Sequence, residues 1–189
     1  MDLYHIALYF HIIALLVASG ATAVMKLAAG RLARARTVSD ALDWHKLQTS
    51  TSKLFPMMLA LFVITGSYMV SRSAVGVWSS GFVTAGMFGV VFLLASGTYL
   101  GLKGKAFGAV LQGIAAKDPN APMPRMAPPA LIVALPIVNT FVALSVAFDM
   151  VAKPTSVATA LTVVVIGVVV GAIIGIRQHA AIPKPAPVA

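Results

Sequence analysis

Five long apolar runs, at 4–27, 54–71, 77–102, 130–152 and 157–176, alternate with short polar or basic stretches along the chain. Each approaches or exceeds the roughly 20 residues that carry a helix across a hydrocarbon core. None alternates at period two as a barrel strand would, and only a helix satisfies its own backbone in lipid, so the pattern predicts five transmembrane helices. Hydrophobic residues make up 59% of the 189 and charged residues 10%, a balance that leaves too little polar surface to cover a soluble domain. The expected fold is therefore all-α, a polytopic integral membrane helical bundle whose solvent is the lipid bilayer. The opening Met1-Asp2-Leu3 lacks a positive n-region, so the apolar stretch 6–17, with Ala21-Thr22-Ala23 behind it, reads as a retained first span rather than a cleaved signal.

Charge then sets an orientation. Lys26, Arg31, Arg34, Arg36, Lys46 and Lys53 flank the first long connection, Lys103, Lys105, Lys117 and Arg125 the second, and Arg177 and Lys184 the tail. Only Arg72 and Lys153 fall on the opposite side, so the 14 basic residues divide twelve to two. Basic residues near span ends stay cytoplasmic, which predicts an amino terminus outside and a carboxyl terminus in the cytoplasm, in a membrane such as the bacterial inner membrane. The net charge of +9 is absorbed by this topology and by anionic inner-leaflet lipid, and no basic helix interleaved with aromatics points to nucleic acid. Zero cysteines exclude disulfides, iron–sulfur clusters and thiolate zinc sites.

Residues 1–181 are expected to form a single transmembrane domain, with 182–189 a Pro-rich cytoplasmic tail. The outer turns, 72–76 and 153–156, are short, and Pro154 stops the fourth span. Thr37 followed by Asp40 resembles a helix cap, which predicts a cytoplasmic helix over 39–53, with Pro56 bending its junction with the second span. The stretch 117–129 contains Pro119, Pro122, Pro124, Pro128 and Pro129 and is expected to be extended or mobile. Small residues mark packing faces: Gly167, Gly171 and Gly175 lie at spacing four in the fifth span, and Gly81, Ala85, Gly89, Gly97 and Gly101 form a similar ridge in the third, interrupted by Leu93. The two ridges pack on each other, or one of them makes a homo-oligomer.

Few residues offer chemistry. His11 lies about 10 Å into the first span and shares a helical stripe with Ala14, Ala18, Ala21 and Met25, so it faces the bundle. It is either a hydrogen-bonding residue or a ligand through a neutral imidazole. His5, six residues earlier, is turned about 120° away and lies near the outer surface. Asp149 is near the outer end of the fourth span, with Asn139 deeper on a similar face; its bland partner is Lys153 at i+4. An outer-half metal site from His11, His5, Met69, Asp149 and Met150 is the sharper alternative. The nine methionines form no tight repeat: Met57, Met58 and Met87 pack in spans, and Met123 and Met126 fall in the Pro-rich connection. His45 and His179 are expected to be solvated.

Tyr4-His5-Ile6-Ala7-Leu8-Tyr9-Phe10-His11-Ile12-Ile13 with Gly20, Lys53-Leu54-Phe55-Pro56 leading to Thr65-Gly66, and Met150-Val151-Ala152-Lys153-Pro154 together resemble the copper-resistance-D-like predicted membrane proteins. More distantly they are similar to the HemJ-type membrane protoporphyrinogen oxidases. The likeness covers roughly the first four spans through short motifs. It implies a helical bundle whose first-span histidine, here His11, binds haem b or belongs to a copper route, with His5, a methionine or a dimer mate as a second ligand. The lysine and polar helix of the HemJ type have no counterpart in 77–102, so protoporphyrinogen oxidation is not what the resemblance implies. The expected function is thus a haem- or copper-binding membrane protein with a redox or metal-handling role. A non-catalytic accessory or assembly subunit of a larger membrane complex, and a small transporter, stand as alternatives.

Overall fold

A computed structural model describes residues 2–72, 80–124 and 128–182. The outer turn at 72–76 beyond Arg72, and the tail beyond Ile182, lie outside the described residues. Six helices follow in order: α1 Leu3–Leu32, α2 Val38–Ser52, α3 Leu54–Ser71, α4 Gly81–Ala115, α5 Ala130–Ala152 and α6 Val157–Ala180. Five stretches are long and apolar enough to cross a membrane, Val38–Ser71 counting as one, and no strand occurs among the described residues. The all-helical membrane fold read from the sequence is the fold observed.

The local signals behave as their chemistry requires. Asp2 caps α1 by accepting from the Tyr4 amide at 3.2 Å, and Thr37 caps α2 by accepting from the Asp40 amide at 3.3 Å. Pro56 stands in the first turn of α3, where a helix needs no amide donor, so it continues α3 rather than breaking it. At the end of α5, Lys153 turns left-handed with φ of 49°, and its amide closes on the Asp149 carbonyl at 2.8 Å before Pro154 ends the helix.

The chain forms two compact units. The first comprises Met1–Ser73 with Gly101–Pro124, and so holds α1, α2, α3 and the last part of α4. The buried residues of α1 are Ala7, Ala14, Ala21 and Ala28, an alanine every seventh residue. This heptad lets neighbouring backbones approach closely, and α1 pairs with both α2 and α3.

Around the start of α2 the same unit builds a small apolar core. Val38, Ala41 and Leu111 are fully buried, with Leu32, Leu42, Phe107 and Ile114 packed around them. α4 runs 35 residues, about 52 Å at 1.5 Å per residue, well past a ~30 Å hydrocarbon core, because Phe107, Leu111 and Ile114 supply an apolar stripe after the span ends. The Pro-rich stretch differs from expectation up to Pro124. Val38 and Ser39 donate to the Ala121 and Pro119 carbonyls, and Met123 donates to the Arg36 carbonyl at 2.9 Å. Proline lacks an amide but keeps an acceptor, so this segment is tied to the start of α2, with Pro122 bridged to Thr37.

The second unit comprises Ala74–Leu100 with Arg125–Ala189 and holds the first part of α4, α5 and α6. The ridge of α6 packs on α5, a partner not among those the sequence suggested. A Cβ added to Gly171 would sit 2.7 Å from the Val138 Cα, one on Gly175 2.5 Å from the Ala134 Cα, and one on Gly167 3.0 Å from the Phe141 carbonyl oxygen. Only glycine permits this backbone contact. The ridge of α4 also meets α5: Gly89 lies under the Val146 side chain, and Gly81 sits against the carbonyls of Pro154 and Ser156. Gly97 and Gly101 have no described atom close enough to meet an added Cβ.

Candidate functional site

His11 is anchored through one of its two ring nitrogens. Its Nδ1 lies 2.8 Å from the Thr65 hydroxyl, and that hydroxyl lies 2.6 Å from the Leu61 carbonyl one turn back on α3. A carbonyl can only accept, so the single hydroxyl proton of Thr65 goes to Leu61. Thr65 therefore accepts from Nδ1–H, and a neutral His11 is left with the lone pair on Nε2. Nε2 has no hydrogen-bond partner among the described residues. Phe62 meets the imidazole edge to face at 4.8 Å between centroids, and Gly66 lies beside Cε1. Phe62, Thr65 and Gly66 are spaced three and four apart, so one face of α3 holds the ring.

A histidine fixed through Nδ1 with Nε2 free is the arrangement by which proteins present imidazole to a metal. The expectation that His11 faces the bundle agrees with Thr65, itself buried, as its partner. Sequence reasoning placed His11 but did not pair it with Thr65, because the two lie 54 residues apart and meet only where α1 lies against α3.

The remaining candidates are dispersed in function. His5 is exposed and packs edge to face on Tyr4, with centroids 5.9 Å apart. Met69 is half-buried on α3, one turn beyond Thr65. In the second unit, Asp149 is fully buried, and neither carboxylate oxygen has a partner. The i+4 ion pair with Lys153 does not form: neither Asp149 oxygen has a partner, and the left-handed turn takes Lys153 off the helical face. Met150 packs instead toward Gly86 of α4. Asn139 has a separate partner: its side-chain oxygen accepts from the Ser96 hydroxyl of α4 at 2.8 Å. Among the described residues no three of His, Cys, Asp or Glu are grouped to hold a metal ion.

The register of the α5–α6 hairpin shows what lies level with Asp149. Gly175 opposite Ala134 and Gly171 opposite Val138 define an antiparallel pairing. Continuing it brings Ala160, which is fully buried, to the level of Asp149. A methyl group can neither donate to nor accept from a carboxyl.

The other two histidines have structural partners and are not simply solvated. His179 Nε2 donates to the Pro128 carbonyl at 3.1 Å, joining the end of α6 to the entry of α5. His45 lies edge to face on Phe107 and against the Gly108 backbone.

No family model, curated protein or solved structure matches the chain.

Proposed function

We propose that the protein is a membrane-embedded haem- or metal-binding protein with His11 as its protein ligand. The observation that carries this reading is the Leu61–Thr65–His11 relay, which fixes the tautomer and leaves Nε2 as a lone-pair donor within the membrane. The donor set fits haem b better than a copper ion. Haem needs one imidazole and apolar surroundings, whereas a copper ion held by the chain asks for several converging donors. Bound haem would supply one-electron redox chemistry; the part of this chain is to orient the imidazole, hold its proton on Nδ1 and keep the surroundings apolar. His5 or a partner copy is the source of any second ligand.

An accessory or assembly subunit is the second reading. It rests on an apolar hollow of about 470 Å³ on the α5–α6 hairpin, lined by Phe141, Phe148, Ile166 and Val170 with Ser145 and Gly167 also contributing, a shape suited to a neighbouring helix in the bilayer. In both readings the amino terminus faces outward in an inner membrane, on the twelve-to-two division of basic residues.

Purification after expression with ample haem and copper, followed by an absorption spectrum and metal analysis, separates the two. A Soret band lost in His11→Ala and retained in His45→Ala supports ligation. Thr65→Val should weaken retention about 10–100-fold while leaving insertion intact, because the imidazole loses its orienting partner. A colourless, metal-free wild-type protein overturns the ligand reading.

A further inference from the structure

A second candidate site lies in the first unit, where α2 and the last part of α4 run side by side. Between them is a cleft of about 290 Å³ walled by His45, Lys46 and Ser50 on α2 and by Lys105, Gly108 and Gln112 on α4. The spacing explains the convergence. Positions 46, 49 and 50 fall on one face of α2, and 105, 108 and 112 on one face of α4, so each helix turns a polar stripe toward the other. His45 lies flat enough on Gly108 that a Cβ there would overlap its Nε2. That close approach sets the cleft's depth.

The lining has a consistent chemistry. Lys46 and Lys105 bring two cations, while Ser50 and Gln112 bring neutral donors that make no hydrogen bond among the described residues. Asp43 is the acidic neighbour, 3.2 Å from Lys46, but that pair is exposed and therefore weak. Burial holds the His45 imidazole below its ordinary value of 6.5, so at neutral pH it serves as a neutral donor or acceptor. Lys105 follows the apolar run of α4 that ends at Leu102, a sequence position that suits the headgroup boundary of a bilayer. Two ammonium groups beside a hydroxyl and an amide suit a tetrahedral oxyanion, and the position at a membrane boundary supplies one.

We propose that this cleft binds a phosphate group, with Lys46 and Lys105 neutralising its charge and Ser50 and Gln112 fixing its oxygens. The source is either a phospholipid headgroup or free phosphate, and the two are distinguishable. The full-length protein in detergent is titrated with phosphatidic acid, followed by native mass spectrometry, and separately with inorganic phosphate, followed by thermal shift. Lipid retention without a response to free phosphate assigns a headgroup site; a response to both assigns a general phosphate site. Lys105→Gln and Lys46→Gln should each weaken binding about tenfold, and Ser50→Ala should weaken it about threefold with charge unchanged. Lys117→Gln, an equal charge loss elsewhere on the same side, should leave binding within about twofold. Glutamine is a good helix former, so these variants keep α2 and α4, which circular dichroism checks. Equal losses in Lys117→Gln and Lys105→Gln, or no binding of either probe by the wild type, overturn the proposal.

Discussion

Asp149 has both carboxylate oxygens buried without a partner, and such a group is costly in either protonation state. Asp149→Ala should therefore stabilise the protein by about 1–3 kcal/mol, less what is lost in packing, and raise the melting temperature in detergent. A fall in stability instead would reveal a partner, water or ion, that the carboxyl holds. His11 is the opposite case. Its hydrogen bonding is complete on the Nδ1 side and open on the other, and the Thr65 hydroxyl decides which nitrogen is which. The two residues were singled out in the sequence for the same reason, as ionisable groups within apolar runs. What distinguished them was invisible there. Asp149 had a formal i+4 partner in Lys153, and the left-handed turn before Pro154 removed it. His11 had no visible partner, and the approach of α3 provided one.

At the level of helices, glycine spacing identified a packing face correctly but not the surface it meets. α6 and α5 are consecutive and antiparallel, so a short turn brings the ridge onto its neighbour in sequence before any distant span can compete. Gly171→Leu would force its side chain into the Val138 backbone and should cost about 1–3 kcal/mol or more, read as a lower melting temperature in detergent. Gly97→Ala supplies the internal control. No described atom crowds that position, so relief of the glycine penalty in a helix should leave stability unchanged or raise it by up to about 1 kcal/mol. Equal losses from both substitutions would mean that a second copy covers the α4 glycines. Other element-level features were legible with different degrees of directness. The Thr37 cap was readable outright, since a capping hydroxyl acts within three residues. The alanine heptad of α1 was present in the sequence, yet alanine carries so little hydrophobic contrast that His11 drew the stripe toward itself. The stretch of α4 past Lys105 was hidden because its apolar stripe of Phe107, Leu111 and Ile114 matters only once α2 is there to cover it.

For the whole molecule, hydropathy settles the class of fold, and the asymmetry of basic residues bears on orientation. Within the first unit, α2, the end of α4 and the 118–124 segment build a small apolar core beside a cationic cleft. The turn from α5 to α6 passes through Lys153, Pro154, Thr155 and Ser156 alone. A folded segment with a buried core of Val38, Ala41 and Leu111 assembles after synthesis on the side where the ribosome works, and moving it across a bilayer would also carry its lysines and arginines through hydrocarbon. The proposed orientation puts this core in the cytoplasm and Arg72 and Lys153 outside. Single cysteines introduced into the cysteine-free chain test it directly. In intact cells a membrane-impermeant maleimide should label Lys153→Cys and leave Gln112→Cys untouched, and opening the cells should make Gln112→Cys reactive. Labelling of Gln112→Cys from outside with protection of Lys153→Cys would invert the topology, and labelling of both from outside would break the hairpin arrangement on which it rests.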